Sequence, residues 1–134
     1  MTITGGCYCG ALRFEAEGPI QMRGLCLCKT CQTISGGAGN LFIGLPADGF
    51  RYTRSGPRRF QRSDDAPTRE FCAACGVHIA ARSPKAPGGV IVKVGALDDP
   101  AVFEGPQIVV WTGEKQAFHL IPEGIPAYAR VPGR

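Results

Sequence analysis

The stretch Phe71-Cys72-Ala73-Ala74-Cys75-Gly76 holds a C-x-x-C pair whose counterpart lies near the N-terminus, in Gly6-Cys7-Tyr8-Cys9-Gly10. Four thiolates complete a tetrahedral zinc site. Since the two pairs are far apart in the chain, one zinc ion shared by them would join distant segments, and its binding energy would become folding energy. The two pairs therefore predict a structural zinc site.

The other three cysteines form a separate cluster, Cys26-Leu27-Cys28-Lys29-Thr30-Cys31. Three thiolates leave one position of a tetrahedral zinc open, and a substrate atom can bind there. The spacing predicts a second, reactive zinc. Tetrahedral sulfur also suits iron, so the spacing alone leaves the identity of the metal in the four-cysteine site open.

Two other interpretations of the cysteines are weaker. A disulfide framework fits poorly because the cysteine count is odd and because 134 residues, 44% of them hydrophobic, can build a core without cross-links. A thioredoxin-like redox pair at Cys72 and Cys75 requires a βαβ context, whereas its flanks look like strands. No secretory signal or long apolar stretch is visible, so we expect a reducing, cytoplasmic setting.

Charge gives little support to a nucleic-acid partner. Seven thiolates and two Zn²⁺ would lower the formal net charge from +4 to +1. The basic residues are scattered, and the glycine-rich run 35–39 lacks the lysine of a phosphate-binding loop. We expect neither a nucleic-acid nor a membrane partner, and the sequence does not predict the oligomeric state.

The fold is predicted to be mainly β. Apolar and polar residues alternate along 11–17, and Gly10 precedes this strand in a turn. Glycine and proline fall between short segments, as in a turn-rich single domain spanning 1–134. Further strands are expected at 22–28, 40–45, 50–54, 58–62, 68–72, 77–82, 90–94 and 107–112, with a helical turn at 29–35 and an irregular tail at 121–132.

The three cysteine motifs, together with the segments 42–50 and 111–132, resemble the glutathione-dependent formaldehyde-activating enzyme (GFA) family, also called the centromere protein V/GFA domain. The resemblance implies a β-tent fold of small antiparallel sheets with zinc knuckles. It also implies two zinc ions per chain. The implied structural ligands are Cys7, Cys9, Cys72 and Cys75, and the implied catalytic ligands are Cys26, Cys28 and Cys31.

The resemblance also implies a carbon–sulfur lyase that joins glutathione and formaldehyde as S-hydroxymethylglutathione. Glutathione or another small thiol, and formaldehyde or a related aldehyde, are the expected partners. Two positions depart from the family. Val109-Val110 precede Trp111 where members often carry a histidine, and Phe118 stands where a tryptophan is common. If these positions line the pocket, the substrates differ.

Several alternatives remain open. His78 is interpreted as an ordinary strand histidine, although it would close the second site if it were a fourth ligand of the three cysteines; His119 is also interpreted as structural. Lys29 or Arg51 could meet substrate carboxylates, and backbone N–H groups of 35–39 could offset thiolate charge. The rival function is a non-catalytic, zinc-stabilised binding module. A methionine-sulfoxide-reductase-like activity is disfavoured because no cysteine follows Cys75.

Overall fold

The computed structural model describes residues 1–132 and is mainly β, as predicted. Its one α-helix among those residues, α1, spans Lys29–Ser35. The ten strands are β1 Thr2–Gly6, β2 Arg13–Glu17, β3 Met22–Cys26, β4 Asn40–Pro46, β5 Phe50–Arg54, β6 Arg58–Gln61, β7 Thr68–Phe71, β8 His78–Arg82, β9 Gly89–Lys93 and β10 Ile108–Val110.

The strands form two sheets. The smaller has the order β1-β2-β5, and the larger has the order β10-β3-β4-β9-β8-β7-β6. All neighbours pair antiparallel except β10 and β3, which run parallel. The sheets are therefore antiparallel, as expected, apart from this one parallel pair at an edge.

The larger apolar cluster lies between the two sheets, and a smaller one joins β3 and β10 to the tail. Phe14 of β2 and Phe50 of β5 stack with their ring centroids 5.1 Å apart. Ile43 of β4 and Val92 of β9, paired in register, are fully buried in the same cluster. Side chains alternate between the faces of a strand, so the other face of the large sheet is free to carry a site.

A buried carboxylate ties the small sheet to the far end of the large one. Glu70 of β7 has no exposed side-chain surface. It accepts hydrogen bonds from the Tyr52 hydroxyl at 2.8 Å, from Arg59 Nε at 2.9 Å and from Arg82 Nε at 3.1 Å. A buried charge is tolerated when it is paired and hydrogen-bonded in this way. The network fixes β6, β7 and β8 against β5.

The residue pattern does not predict the first strand, β1. It contains Gly5 and Gly6, which have low strand propensity. Gly5 pairs with Phe14, and a Cβ atom at this glycine would lie only 2.6 Å from the Phe14 ring. A side chain is excluded at Gly5 because both the Ala96 carbonyl oxygen, which lies even closer to that Cβ position, and the phenyl ring pack against the backbone.

The tail covers the β10 edge of the large sheet, in agreement with its predicted irregular packing. Val109 donates its N–H to the Pro126 carbonyl at 3.0 Å, and Tyr128 returns one to the Val109 carbonyl at 2.9 Å. A covered edge cannot pair with another chain. Within residues 1–132, no helix has the length and apolar character needed to cross a membrane.

Candidate metal centres and the adjoining cavity

The four-cysteine cluster brings the two ends of the sequence motif together. The sulfur atoms of Cys7, Cys9, Cys72 and Cys75 all lie within 4.8 Å of one another. Two of the separations are 3.6 Å, between Cys7 and Cys9, and 3.8 Å, between Cys9 and Cys72. A disulfide needs about 2.05 Å, whereas sulfurs on a tetrahedral zinc at about 2.3 Å stand about 3.8 Å apart. The sulfur positions therefore fit a zinc ion.

Both cysteine pairs sit on turns of similar construction. Cys7 donates its N–H to the carbonyl of Leu12, and Cys72 donates to the carbonyl of Val77, both at 3.0 Å. Gly10 and Gly76 close these turns at φ values of +82° and +76°. This region of backbone space favours glycine. The expected role of Gly10 is confirmed, and Gly76 plays the same role in the second turn.

Backbone N–H groups point at the cluster sulfurs. Leu12 donates to Cys7 Sγ at 3.3 Å, and Ala74 donates to Cys72 Sγ at 3.4 Å. Although burial opposes it, the Leu12 N–H and the neighbouring thiols lower the pKa of Cys7 to about 6. The thiolate, which is the metal-binding form, is therefore favoured at Cys7. Although the Ala11 N–H opposes it, the neighbouring thiols and burial raise the pKa of Cys9 to about 11.

The three-cysteine cluster is built differently, at the junction of β3 and α1. Cys26 ends the strand, Cys28 caps the helix and Cys31 lies in its first turn. Their sulfurs also lie within 4.8 Å of one another. The junction is held by Gln32, whose side-chain amide donates to the carbonyls of Leu27 at 2.9 Å and Glu114 at 2.8 Å.

The cluster favours negative charge on its middle sulfur. The thiols of Cys26 and Cys31 and the N–H of Cys31, 3.3 Å away, lower the pKa of Cys28 well below its usual range. The positive charge of Arg69 acts in the same direction. Lys93, on β9, also acts on the cluster, and its own burial lowers the pKa of its ammonium to about 8.

Two of the backbone donors expected from 35–39 bind within the chain instead. Gly37 donates its N–H to the Gln32 carbonyl at 2.7 Å, and Gly39 donates to Ser35 Oγ at 2.8 Å. Both groups close the end of α1 and are occupied. Sequence reasoning missed Arg69 and Lys93 because isolated basic residues on distant strands carry no local motif.

Neither histidine joins a cysteine cluster within residues 1–132. His78 Nε2 bonds to the Ala80 carbonyl at 2.9 Å, and burial lowers the pKa of its ring to about 4. His119 accepts the Gln116 N–H on Nδ1 at 2.8 Å and bonds through Nε2 to the Gly37 carbonyl at 2.6 Å. These contacts agree with structural histidines and give no support to His78 as a fourth ligand.

A cavity of about 720 Å³ lies beside the helix that carries Cys28 and Cys31, although none of the seven cysteines is among its lining residues. It lies between α1 and the open face of β6, β7 and β8. Lys29 and Thr30, the two residues between Cys28 and Cys31, form part of its wall. The other lining residues are Thr33, Ile34, Phe60, Arg62, Ala66, Pro67, Arg69, Phe71, Gly76, His78 and Glu114. Its volume is typical of small-molecule sites.

The positions that depart from the family lie outside this cavity. Val109 is fully buried and Val110 nearly so, whereas Phe118 lines a separate cavity of about 430 Å³ beside His119. Arg51 lies in the small sheet, where it forms an ion pair with Glu15. Of the two basic residues suggested for substrate carboxylates, only Lys29 reaches the large cavity.

Comparison with known proteins agrees with these motifs. Residues 2–114 match the family model described as glutathione-dependent formaldehyde-activating enzyme. The chain belongs to this family. The match contains all seven cysteines and ends before the tail, so the likeness of 115–132 lies outside it. No curated protein matches the chain.

A solved structure shares the GFA-family fold of this chain. It is a crystal structure of a Rhodobacter sphaeroides protein, 18% identical, with a TM-score of 0.62; the alignment covers 93% of this chain and 98% of that one. At this identity the likeness supports the fold alone.

Proposed function

We propose that this protein is a zinc-dependent carbon–sulfur lyase acting on adducts of glutathione, or another small thiol, with formaldehyde or a related aldehyde. The observation that carries the proposal is the three-cysteine cluster. It offers three sulfurs and no fourth metal-binding side chain within the described residues 1–132, and the helix that carries Cys28 and Cys31 borders a cavity of substrate size. Family membership supports the thiol and aldehyde chemistry.

In this proposal Cys26, Cys28 and Cys31 hold the catalytic zinc, whereas Cys7, Cys9, Cys72 and Cys75 hold a structural zinc. When bound at three thiolates, zinc supplies a Lewis acid that lowers the pKa of a fourth, incoming thiol. The chain itself supplies the surrounding charge. Arg69 and Lys93 offset the negative cluster, and Gln32 and Glu114 fix the helix start that carries Cys28 and Cys31.

The test is zinc content per chain, measured by elemental analysis with and without glutathione, for the wild type and Cys28→Ser. We expect two zinc ions in the wild type and one in the variant, with loss of adduct formation and cleavage. Serine is a good helix N-cap, so α1 is retained. The variant therefore separates loss of metal from loss of fold.

A different result favours the rival function. A single zinc ion in the wild type, with no response to glutathione, would leave only the structural site and favour a binding module. Full activity in Cys28→Ser would refute the assignment of the three-cysteine cluster. A ligand of the folded state also raises the melting temperature, so an unchanged melting temperature with glutathione would count against glutathione as the thiol.

A further inference from the structure

One face of the large sheet presents Arg69 to the cavity beside an aromatic ring. Arg69 of β7 lies directly opposite Phe60 of β6 on one side and opposite Ala81 of β8 on the other. Directly opposite residues of antiparallel strands project from the same face. Ala81 is small and leaves space above the sheet. Arg69 and Phe60 both line the cavity.

Arg69 has no ion-pair partner within residues 1–132. Its neighbour Glu70 projects from the opposite face and is already bound by Tyr52, Arg59 and Arg82. The other basic groups of this region, Lys93 and His78, have pKa values lowered by burial and further by the charge of Arg69. Arg69 is thus half-buried and has no carboxylate partner among residues 1–132, and the thiolates of the three-cysteine cluster are the anions that its charge acts on.

Glu114, the acidic residue of the cavity wall, does not pair with Arg69. Glu114 accepts the backbone N–H of Lys29 at 2.7 Å, at the start of α1. The side chain of Lys29 donates to Thr33 Oγ1 at 3.0 Å, and Arg62 donates to Thr30 Oγ1 at 3.3 Å. These contacts close one end of the cavity and leave the Arg69 guanidinium facing it.

The remaining walls are apolar. Phe60 is 61% exposed although it lies in a strand, and Ile34 of α1 is also exposed. Pro67 and Phe71 extend the same surface. Formaldehyde has one carbon and glutathione has no hydrocarbon side group, so neither would cover these walls. Burying such surface favours binding by roughly 25 cal/mol per Å².

We infer that this cavity binds a small monocarboxylic acid with an aromatic or branched aliphatic body. The carboxylate pairs with the Arg69 fork through two parallel hydrogen bonds, and the body lies on Phe60 and Ile34. Of the cations Lys29, Arg62 and Arg69 in the wall, the first two donate to threonine hydroxyls and the third remains for the carboxylate, so a monoanion is favoured. The inference deepens the proposed function and rests on it in one respect, since such an acid would be the thiol or aldehyde part of the adduct.

The probe is 3-phenylpropanoate, which contains neither thiol nor aldehyde, and its binding is measured by calorimetry on the zinc-loaded protein. We expect it to bind at least tenfold more tightly than propanoate, which lacks the ring, and than 3-phenylpropanamide, which lacks the charge. Arg69→Met should weaken it about tenfold to a hundredfold. Arg69→Lys, which keeps the charge but loses the fork, should give an intermediate loss.

Two further variants complete the design. Phe60→Ala should weaken 3-phenylpropanoate and leave propanoate unchanged. Arg51→Met removes an arginine of the other sheet and should change neither. Equal binding of acid and amide, wild-type affinity in Arg69→Met, or tighter binding of phenylphosphonate would each overturn the inference.

Cys28→Ser separates this inference from the proposed lyase. The variant should lose activity and bind 3-phenylpropanoate at least as tightly as the wild type, because loss of the Cys28 thiolate removes a negative charge that competes for Arg69. If the wild type shows no lyase activity but binds the probe through Arg69, the proposed function fails and the binding site stands. If activity is present and the probe does not bind, the inference about the acid fails.

Discussion

The two cysteine clusters use the same ligand atom in different surroundings. The four-cysteine cluster joins two turns, each closed by backbone hydrogen bonds and a glycine at positive φ. The three-cysteine cluster joins a strand end to a helix start, with Arg69 and Lys93 acting on its charge and a cavity at its side. The number of cysteines in each cluster matches the surroundings of that cluster. The complete set lies between strands, and the incomplete set lies where a small molecule can approach.

The largest expected difference between the clusters is in stability. Cys72→Ser removes a nearly fully buried sulfur from the four-cysteine cluster. Structural zinc contributes on the order of 10 kcal/mol, so we expect the variant to lose cooperative unfolding in urea. Cys28→Ser should change the free energy of unfolding by only about 1–2 kcal/mol, because serine preserves the cap of α1. Equal losses in the two variants would show that both clusters hold the fold.

A smaller effect tests whether each turn serves its own cluster. Gly76→Ala and Gly36→Ala both introduce a Cβ at positive φ, +76° and +79°, where nothing lies within 4 Å of it. The left-handed conformation alone should therefore cost about 1–2 kcal/mol in each. During titration with a chelator, Gly76→Ala should release the four-cysteine zinc earlier and Gly36→Ala the three-cysteine zinc.

Gly56→Ala is the matched control for both variants. Gly56 also has open space around its Cβ position, but its φ is not positive. This substitution should change neither unfolding nor zinc release. If Gly76→Ala affected both zinc ions equally, the clusters would be coupled.

The smallest expected effect is the pH dependence contributed by His78 beside the cavity. Its folded pKa, about 4, lies below its ordinary value of 6.5 because burial, Lys93 and Arg69 disfavour the charged ring. The unfolded chain therefore binds this proton more readily. The contribution of His78 to stability is complete above pH 6.5 and is lost as the pH falls toward 4.

His78→Gln keeps an N–H donor for the Ala80 carbonyl and removes the titration. The difference in unfolding free energy between wild type and variant should change by about 1 kcal/mol between pH 6.5 and 4, since partial exposure screens the charge. Urea titrations at several pH values measure it. Acid loss of zinc affects both proteins alike, so a constant difference would contradict the burial of His78.

Much of the local structure was predictable from the residues. The helical turn expected at 29–35 is α1 without adjustment, and the alternation of Leu12, Phe14 and Ala16 produced β2 with its buried face. The 58–62 and 68–72 segments form the expected hairpin, with Gln61 opposite Thr68. Such features depend on neighbours in the chain, which a sequence displays directly.

Other features depended on residues that meet only in three dimensions. Strand β1 pairs along its whole length with β2, and β10 lies between β3 and the tail, so both depend on partners distant in the chain. Arg51 was suggested as a carboxylate partner, yet its charge is used by Glu15 in the other sheet. Basic residues look alike in sequence, and the strand register decides which of them remains unpaired.

By itself, the sequence determined which cysteines are candidate metal ligands, their division into four and three, and the β-rich class, because cysteine spacing and side-chain alternation are local properties. Only the tertiary structure decided what surrounds the three-cysteine cluster. The pairing of β6, β7 and β8 places Phe60, Arg69 and Ala81 in one row, and α1 closes the cavity above them. Long-range strand pairing sets that arrangement. The three residues lie on separate strands, and no fixed spacing in the sequence relates them.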